Sequence, residues 1–182
     1  MIKALAFIYK KKGLSDGDFK NYYEKNHAPL ATSLLTFEGY ERNFVNANIN
    51  PLFSYLGSIS IFQYQSIESL NDIEEKMSSD AGDILREDEL KFMDVAKNYF
   101  VLTQSDQLTE QRFQKKIFYP CNDEHDLSSL NSYEGLNKIS DNIILESTEM
   151  FGIAEYGITQ KAEFDVLKKL TQEHPIAIIT SC

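Results

Sequence analysis

The first strand constrains this chain most. Residues 2 to 9 place Ile2, Ala4, Ala6 and Ile8 on one face and Lys3, Leu5, Phe7 and Tyr9 on the other, so both faces are largely apolar. A sheet with one solvated face would alternate polar and apolar residues, so this strand must be covered on both sides. The 182 residues, 42% hydrophobic and 12% aromatic, are enough for a packed core of one generous domain or two small ones.

Strand-like segments follow at 39–46 and 57–65, joined by a turn over Asn48 to Pro51. Ile67, Leu70 and Met77 mark a helix, an acidic helical segment spans Asp80 to Lys91, and Tyr99 to Thr103 forms a strand. The order is βαββαβ with one additional helix, the ferredoxin-like plan, in which helices cover one face of an antiparallel sheet and the other face needs a partner. From Arg112 the order recurs: a strand at Lys115 to Tyr119, a helix from Asp126 to about Leu136, and strands at Asn142 to Glu146 and Phe151 to Ile158. A helix at Lys161 to Thr171 and a strand at Ile176 to Thr180 complete the set.

The expected fold class is therefore α+β, a ferredoxin-like βαββαβ unit repeated in tandem, the second antiparallel sheet packing on the first. The boundary is placed between residues 1–108 and a degenerate second repeat, 109–182. Phe7-Ile8-Tyr9 matches Ile117-Phe118-Tyr119, Asp16 matches Asp126, and His27 matches Asn137, so the second copy lacks the histidine. The competing reading makes the last 70 or so residues an unrelated cap.

Chemistry points to His27. A helix starts at Ser15, whose hydroxyl can cap a free N–H, with Asp18 as the reciprocal acceptor. Phe19, Tyr23, His27 and Ala31, with Leu30 and Leu34 beside them, form its inward stripe. Pro29 has no N–H for the Lys25 carbonyl and crowds it, so a kink or an ending is expected about one turn earlier. His27 is then either a satisfied core histidine or an acid/base group working near its own pKa.

Met1-Ile2-Lys3 leading to Phe7, then Lys11-Lys12-Gly13-Leu14-Ser15, Phe19, Tyr22-Tyr23 and Asn26-His27-Ala28-Pro29-Leu30 resemble the start of an EthD-type domain over roughly residues 1 to 105. In EthD-like families two sheets pack face to face across a dimer, so the resemblance implies two antiparallel sheets packed as an α+β barrel, across a dimer or with one chain supplying both halves. The family is linked to ether degradation and carries an oxidoreductase label. Related barrels include cofactor-free cyclases and oxygenases acting on polyketide-like molecules, and fold analogy does not choose between them. The expectation is a small-molecule enzyme acting on a hydrophobic carbonyl or aromatic compound, by acid/base or cofactor-free oxidative chemistry.

In that scheme His27 moves the proton and Tyr23, one turn away, orients the ligand or supports an oxyanion. Tyr9, Tyr22, Asn26, Tyr64 and Tyr99 are ligand-binding candidates, each tyrosine offering an apolar body and one hydroxyl. A carrier or sensor using the same pocket, and a structural module, are the rival readings. No stored cofactor is expected.

The formal charge of −10 disfavours nucleic acid and anionic membrane surfaces, and Lys10-Lys11-Lys12 is the only basic run. No apolar run is long enough for a membrane span, and a cytoplasmic location is expected. Expected partners are a small hydrophobic molecule and, for assembly, a second copy as a homodimer. Cys121, His125 and His174 make neither a metal set nor a triad. Cys121 reads as a loop residue, and Glu87-Asp88-Glu89 and Asn122 to Asp126 read as solvated acidic faces.

Overall fold

Eight antiparallel strands close on themselves, which is why the first of them is apolar on both faces. The computed structural model describes residues 1–45, 47–109, 111–146, 150–159 and 163–182. The strands are β1 (Ile2–Tyr9), β2 (Gly39–Val45), β3 (Leu56–Tyr64), β4 (Tyr99–Gln107), β5 (Lys115–Cys121), β6 (Leu136–Ile144), β7 (Gly152–Ile158) and β8 (Ile178–Ser181). They run β1-β3-β2-β8-β5-β7-β6-β4 around the barrel, and β4 pairs back onto β1. The strands β4-β1-β3-β2 and β8-β5-β7-β6 follow the same internal order.

The expected pair of sheets packed face to face is replaced by one continuous sheet. Hydrogen bonding passes across two junctions, Phe44 and Val45 of β2 against Ser181 and Thr180 of β8, and Thr103 to Gln107 of β4 against β6. Closure leaves no unpaired edges, a more complete solution than stacking two open sheets.

Side chains then alternate between barrel interior and exterior. Leu5 and Phe7 point inward and meet Ile59, Ile61, Phe118, Ile153 and Ile178 in a core shared by both halves. Outside, Ala6 and Ile8 pack with Phe19, Tyr23, Phe44 and Phe92 beneath the helices. The exterior of the second half, Ile117, Tyr119, Cys121, Ala154, Tyr156 and Ile179, is covered by Leu127, Leu130, Tyr133, Val166 and Leu170.

The helices are α1 (Asp16–Tyr22), α2 (Ala28–Leu34), α3 (Ser69–Met77), α4 (Asp80–Phe92) and α5 (Glu163–Glu173). Ser15 caps α1 as its sequence implies, accepting the Asp18 N–H at 3.1 Å while its hydroxyl donates to the Asp18 carboxylate. Between α1 and α2 the chain widens into a π-turn over Tyr23–His27, where the Ala28 N–H reaches the Tyr23 carbonyl. Pro29 follows at once in the first turn of α2, and the widened turn precedes the residue that has no N–H to donate.

Three expectations shift. The helix expected over 126–136 is a single 3₁₀ turn, Asp126–Ser128, and β6 starts at Leu136 rather than 142. Local side chains outcompete helical bonding there: the Asp123 carboxylate takes the N–H groups of His125 and Asp126, Asp126 takes that of Asn122, and Gly135 turns at φ +88°. Cys121 is buried inside β5 rather than in a loop, its thiol donating to the Tyr119 carbonyl. Lys161, the expected start of the last helix, lies outside the described residues, and α5 runs from Glu163.

Phe118 is fully buried in the shared interior core. Phe118→Ala is expected to lower stability by about 3–5 kcal/mol in urea titration, and the two halves should unfold in one transition. Two separated transitions would show that the interior does not couple them.

Candidate functional site

The buried surface between helices and barrel gathers an unusual number of polar rings. His27, held inward at the end of the π-turn, is 5% exposed, and its Nδ1 lies 3.0 Å from Asp88 Oδ2 of α4. Asp88 is itself 4% exposed, because Leu85, Asp88 and Phe92 share the inward stripe of α4. It also accepts the Tyr22 hydroxyl at 2.7 Å and the Lys91 ammonium at 3.3 Å. The reading of Glu87-Asp88-Glu89 as a solvated face is thus corrected at its central residue.

Protonation follows from these contacts. Burial pushes the His27 pKa down, and the Asp88 carboxylate beside it only partly offsets that. Burial pushes the Asp88 carboxyl up, but hydrogen bonds from Tyr22, His27 and Lys91 outweigh it and the net shift is down. At neutral pH the pair is therefore a neutral imidazole donating from Nδ1 to a carboxylate. Among the described residues Nε2 has no hydrogen-bond partner, so its lone pair is free to take a proton.

Tyr23 lies beside the imidazole, ring centroids 5.2 Å apart, and its hydroxyl is 2.9 Å from Ser60 Oγ and accepts the Tyr40 hydroxyl at 2.9 Å. Burial raises the Tyr23 pKa, which keeps the phenol a donor. Phe92 closes the group from below, 5.1 Å from the His27 ring.

Of the seven residues singled out from sequence, His27, Tyr23 and Tyr22 come together here. Asn26 is exposed on the π-turn. Tyr64 faces the exterior beside Phe37 on the wall of a groove of about 490 Å³, its pKa raised by burial to about 12. Tyr9 and Tyr99 sit at the other end of β1 from Lys3, ring centroids 6.5 Å apart, with Tyr99 stacked on Phe7 at 4.6 Å.

A second polar group occupies one end of the barrel interior. Glu155 of β7 accepts Lys116 at 2.9 Å through Oε1 and the Ser140 hydroxyl at 2.8 Å through Oε2, and Lys3 Nζ lies 3.8 Å from Oε2. Lys116 also pairs with Glu41. Lys3, Glu41, Lys116 and Glu155 line an open cavity of about 590 Å³ whose apolar wall includes Ile61, Phe113 and Ile139. The sequence carried a signal for them, a lone charge in the doubly apolar strand at Lys3 and another in Gly-Ile-Ala-Glu-Tyr-Gly-Ile at Glu155. Among the described residues no group of three or more His, Cys, Asp or Glu side chains is placed to hold a metal ion, and no helix is long and apolar enough to cross a membrane.

Residues 11–96 match the family model of the EthD domain. No curated protein matches the chain by sequence. Among solved structures, an ethyl tert-butyl ether degradation family protein of Bacillus halodurans aligns over 57% of this chain and 98% of its own, at 21% identity and a TM-score of 0.43. A protein provisionally named a chlorite dismutase aligns over 99% of this chain and 93% of its own, at 8% identity and a TM-score of 0.58. A provisionally named monooxygenase of Fusobacterium nucleatum covers 99% of this chain and 91% of its own, at 8% identity and a TM-score of 0.56. The last two likenesses span both halves and place the whole chain in an α+β barrel fold.

The sign of the His27 shift fixes a pH dependence. A histidine whose folded pKa lies below its unfolded value of 6.5 contributes stability that is fully present above that pH and is lost as pH falls through the lowered folded pKa. In an NMR titration the His27 midpoint is expected below 6.5, and Asp88→Ala should lower it further by removing the carboxylate that favours the imidazolium.

Proposed function

This chain carries an EthD-like domain in an α+β barrel, and from that premise we propose that it is a small-molecule enzyme in which His27 acts as general acid/base. One observation carries the reading: a buried imidazole is oriented through Nδ1 by a carboxylate while Nε2 has no partner among the described residues. That division of labour fixes the tautomer and makes the other nitrogen basic.

The surroundings support a hydrophobic carbonyl or aromatic substrate. Phe92, Tyr22 and Tyr23 offer ring faces, and the linked hydroxyls of Tyr23, Tyr40 and Ser60 offer donors for an enolate or phenolate oxygen. Nε2 would remove the proton next to the carbonyl or from the phenol, Asp88 would stabilise the imidazolium that results, and Tyr23 would orient the oxygen. Proton transfer of this kind needs no stored cofactor.

The equal strand order of the two halves supports reading the barrel as two ferredoxin-like units, 1–108 and 109–182, fused in one chain. The second unit has Asn137 on β6 at the position aligned with His27, so one acid/base site per chain is proposed.

The test is a panel of apolar β-dicarbonyls and phenols screened for products by mass spectrometry, with binding measured separately. His27→Ala should lower turnover by about 10²–10⁴-fold with affinity nearly unchanged. Affinity lost with no turnover in either form would identify a carrier instead, and turnover indifferent to His27 would sink the acid/base role.

A further inference from the structure

The barrel cavity holds a lysine that the His27 chemistry leaves unused. Lys3 is 2% exposed, yet it lines the cavity. Its Nζ is 3.1 Å from Gln107 Oε1, 3.4 Å from Ser140 Oγ and 3.8 Å from Glu155 Oε2, so its close partners are neutral. The nearest carboxylate is already engaged by Lys116 and Ser140, and Lys116 holds Glu41 as well. Of the two buried lysines on the cavity lining, Lys3 is the one without a carboxylate of its own.

That placement decides which amine is reactive. Burial pushes the Lys3 pKa down and the neighbouring Lys116 charge adds to the effect, against the opposing pull of Glu155. Lys116 is buried as well, but its two carboxylates raise its pKa and keep it an ammonium. A desolvated amine beside another cation is the usual setting for a nucleophilic lysine.

The cavity's charges select the ligand. With Lys3 as the free amine, Arg112 and Lys116 share the lining with Glu38, Glu41 and Glu155, so carboxylates outnumber cations and a bound anion would be repelled. A neutral molecule with an apolar body meets no such cost, and Ile61, Phe113 and Ile139 supply the matching wall.

We propose that Lys3 captures a neutral aldehyde or ketone in the barrel cavity as a Schiff base on Nζ. The nitrogen lone pair adds to the carbonyl carbon, giving a carbinolamine. A proton from the nitrogen passes by way of Glu155, the nearest carboxylate, to the hydroxyl. The C–O bond then breaks, water leaves and a C=N bond remains. Hydrolysis reverses the sequence, so no oxidant or reductant is consumed. The site lies inside the barrel, whereas His27 lies outside it, and each can fail without the other.

Benzaldehyde with cyanoborohydride at pH 7, followed by peptide mapping, tests the proposal. Reductive labelling at Lys3 should run at least about tenfold faster than at exposed lysines such as Lys25 and Lys169. Fragmentation of the N-terminal peptide separates Lys3 from the Met1 amine. Lys3→Met should abolish the fast label while leaving that at Met1, and Lys3→Arg, which keeps charge and length, serves if the methionine variant does not fold. Labelling at Lys3 no faster than at Lys25, or a fast label that survives either variant, would overturn the assignment.

Discussion

Closure of eight strands within one chain is the constraint from which the rest follows. The two junctions that close the sheet are unequal: β4 and β6 share five residue pairs, whereas β2 and β8 share two. The shorter one is extended by a side chain. Asn50, 4% exposed, donates its amide to the Ile179 carbonyl and accepts the Ile179 N–H, so its carboxamide stands in for a further strand residue. Without an edge to protect, the sheet can bury both faces, and inward residues as polar as Lys3, Lys116 and Glu155 are removed from water.

That explains how two different polar sites arise on opposite faces of the same strands. On β3, Ser60 points outward to the Tyr23 hydroxyl while Ile61, the next residue, lines the barrel cavity. On β1, Lys3 points inward and Ala6 outward beneath the helices. A one-residue slip in register would exchange the faces, placing Lys3 under the helices and the small residues inside the barrel. The unbroken pairing of β1 from Ile2 to Ile8 against β3 is therefore as much a condition of both sites as of the fold.

What was legible in the sequence was what is local. The doubly apolar β1, the Ser15 cap and the disturbance ahead of Pro29 each depend on residues within a turn or a strand of one another, and each is found. The segment after Cys121 was misread because Asp123 and Asp126 bind nearby N–H groups, a competition that hydrophobic spacing does not register. Barrel closure depends on pairs such as Phe44 with Ser181, which no local pattern announces. Asp88 shows the boundary between the two cases. Its spacing with Leu85 and Phe92 was readable, but two acidic neighbours hid it, and its partner His27 is 61 residues away.

The two sites apply one principle with different geometry. In each, burial opposes the charged form of a nitrogen base and a carboxylate opposes the burial. At His27 the carboxylate makes a direct hydrogen bond at 3.0 Å, and two other donors, Tyr22 and Lys91, keep it ionised, so it stays available to stabilise the protonated ring. At Lys3 the carboxylate is 3.8 Å away, beyond hydrogen-bond distance, and the neighbouring Lys116 charge joins burial in opposing a proton on nitrogen. The first arrangement suits a base that must accept a proton and return it. The second suits a nitrogen that must give up its proton before it can form a bond, and since each carboxylate serves two other groups, the difference follows from the distance between nitrogen and carboxylate.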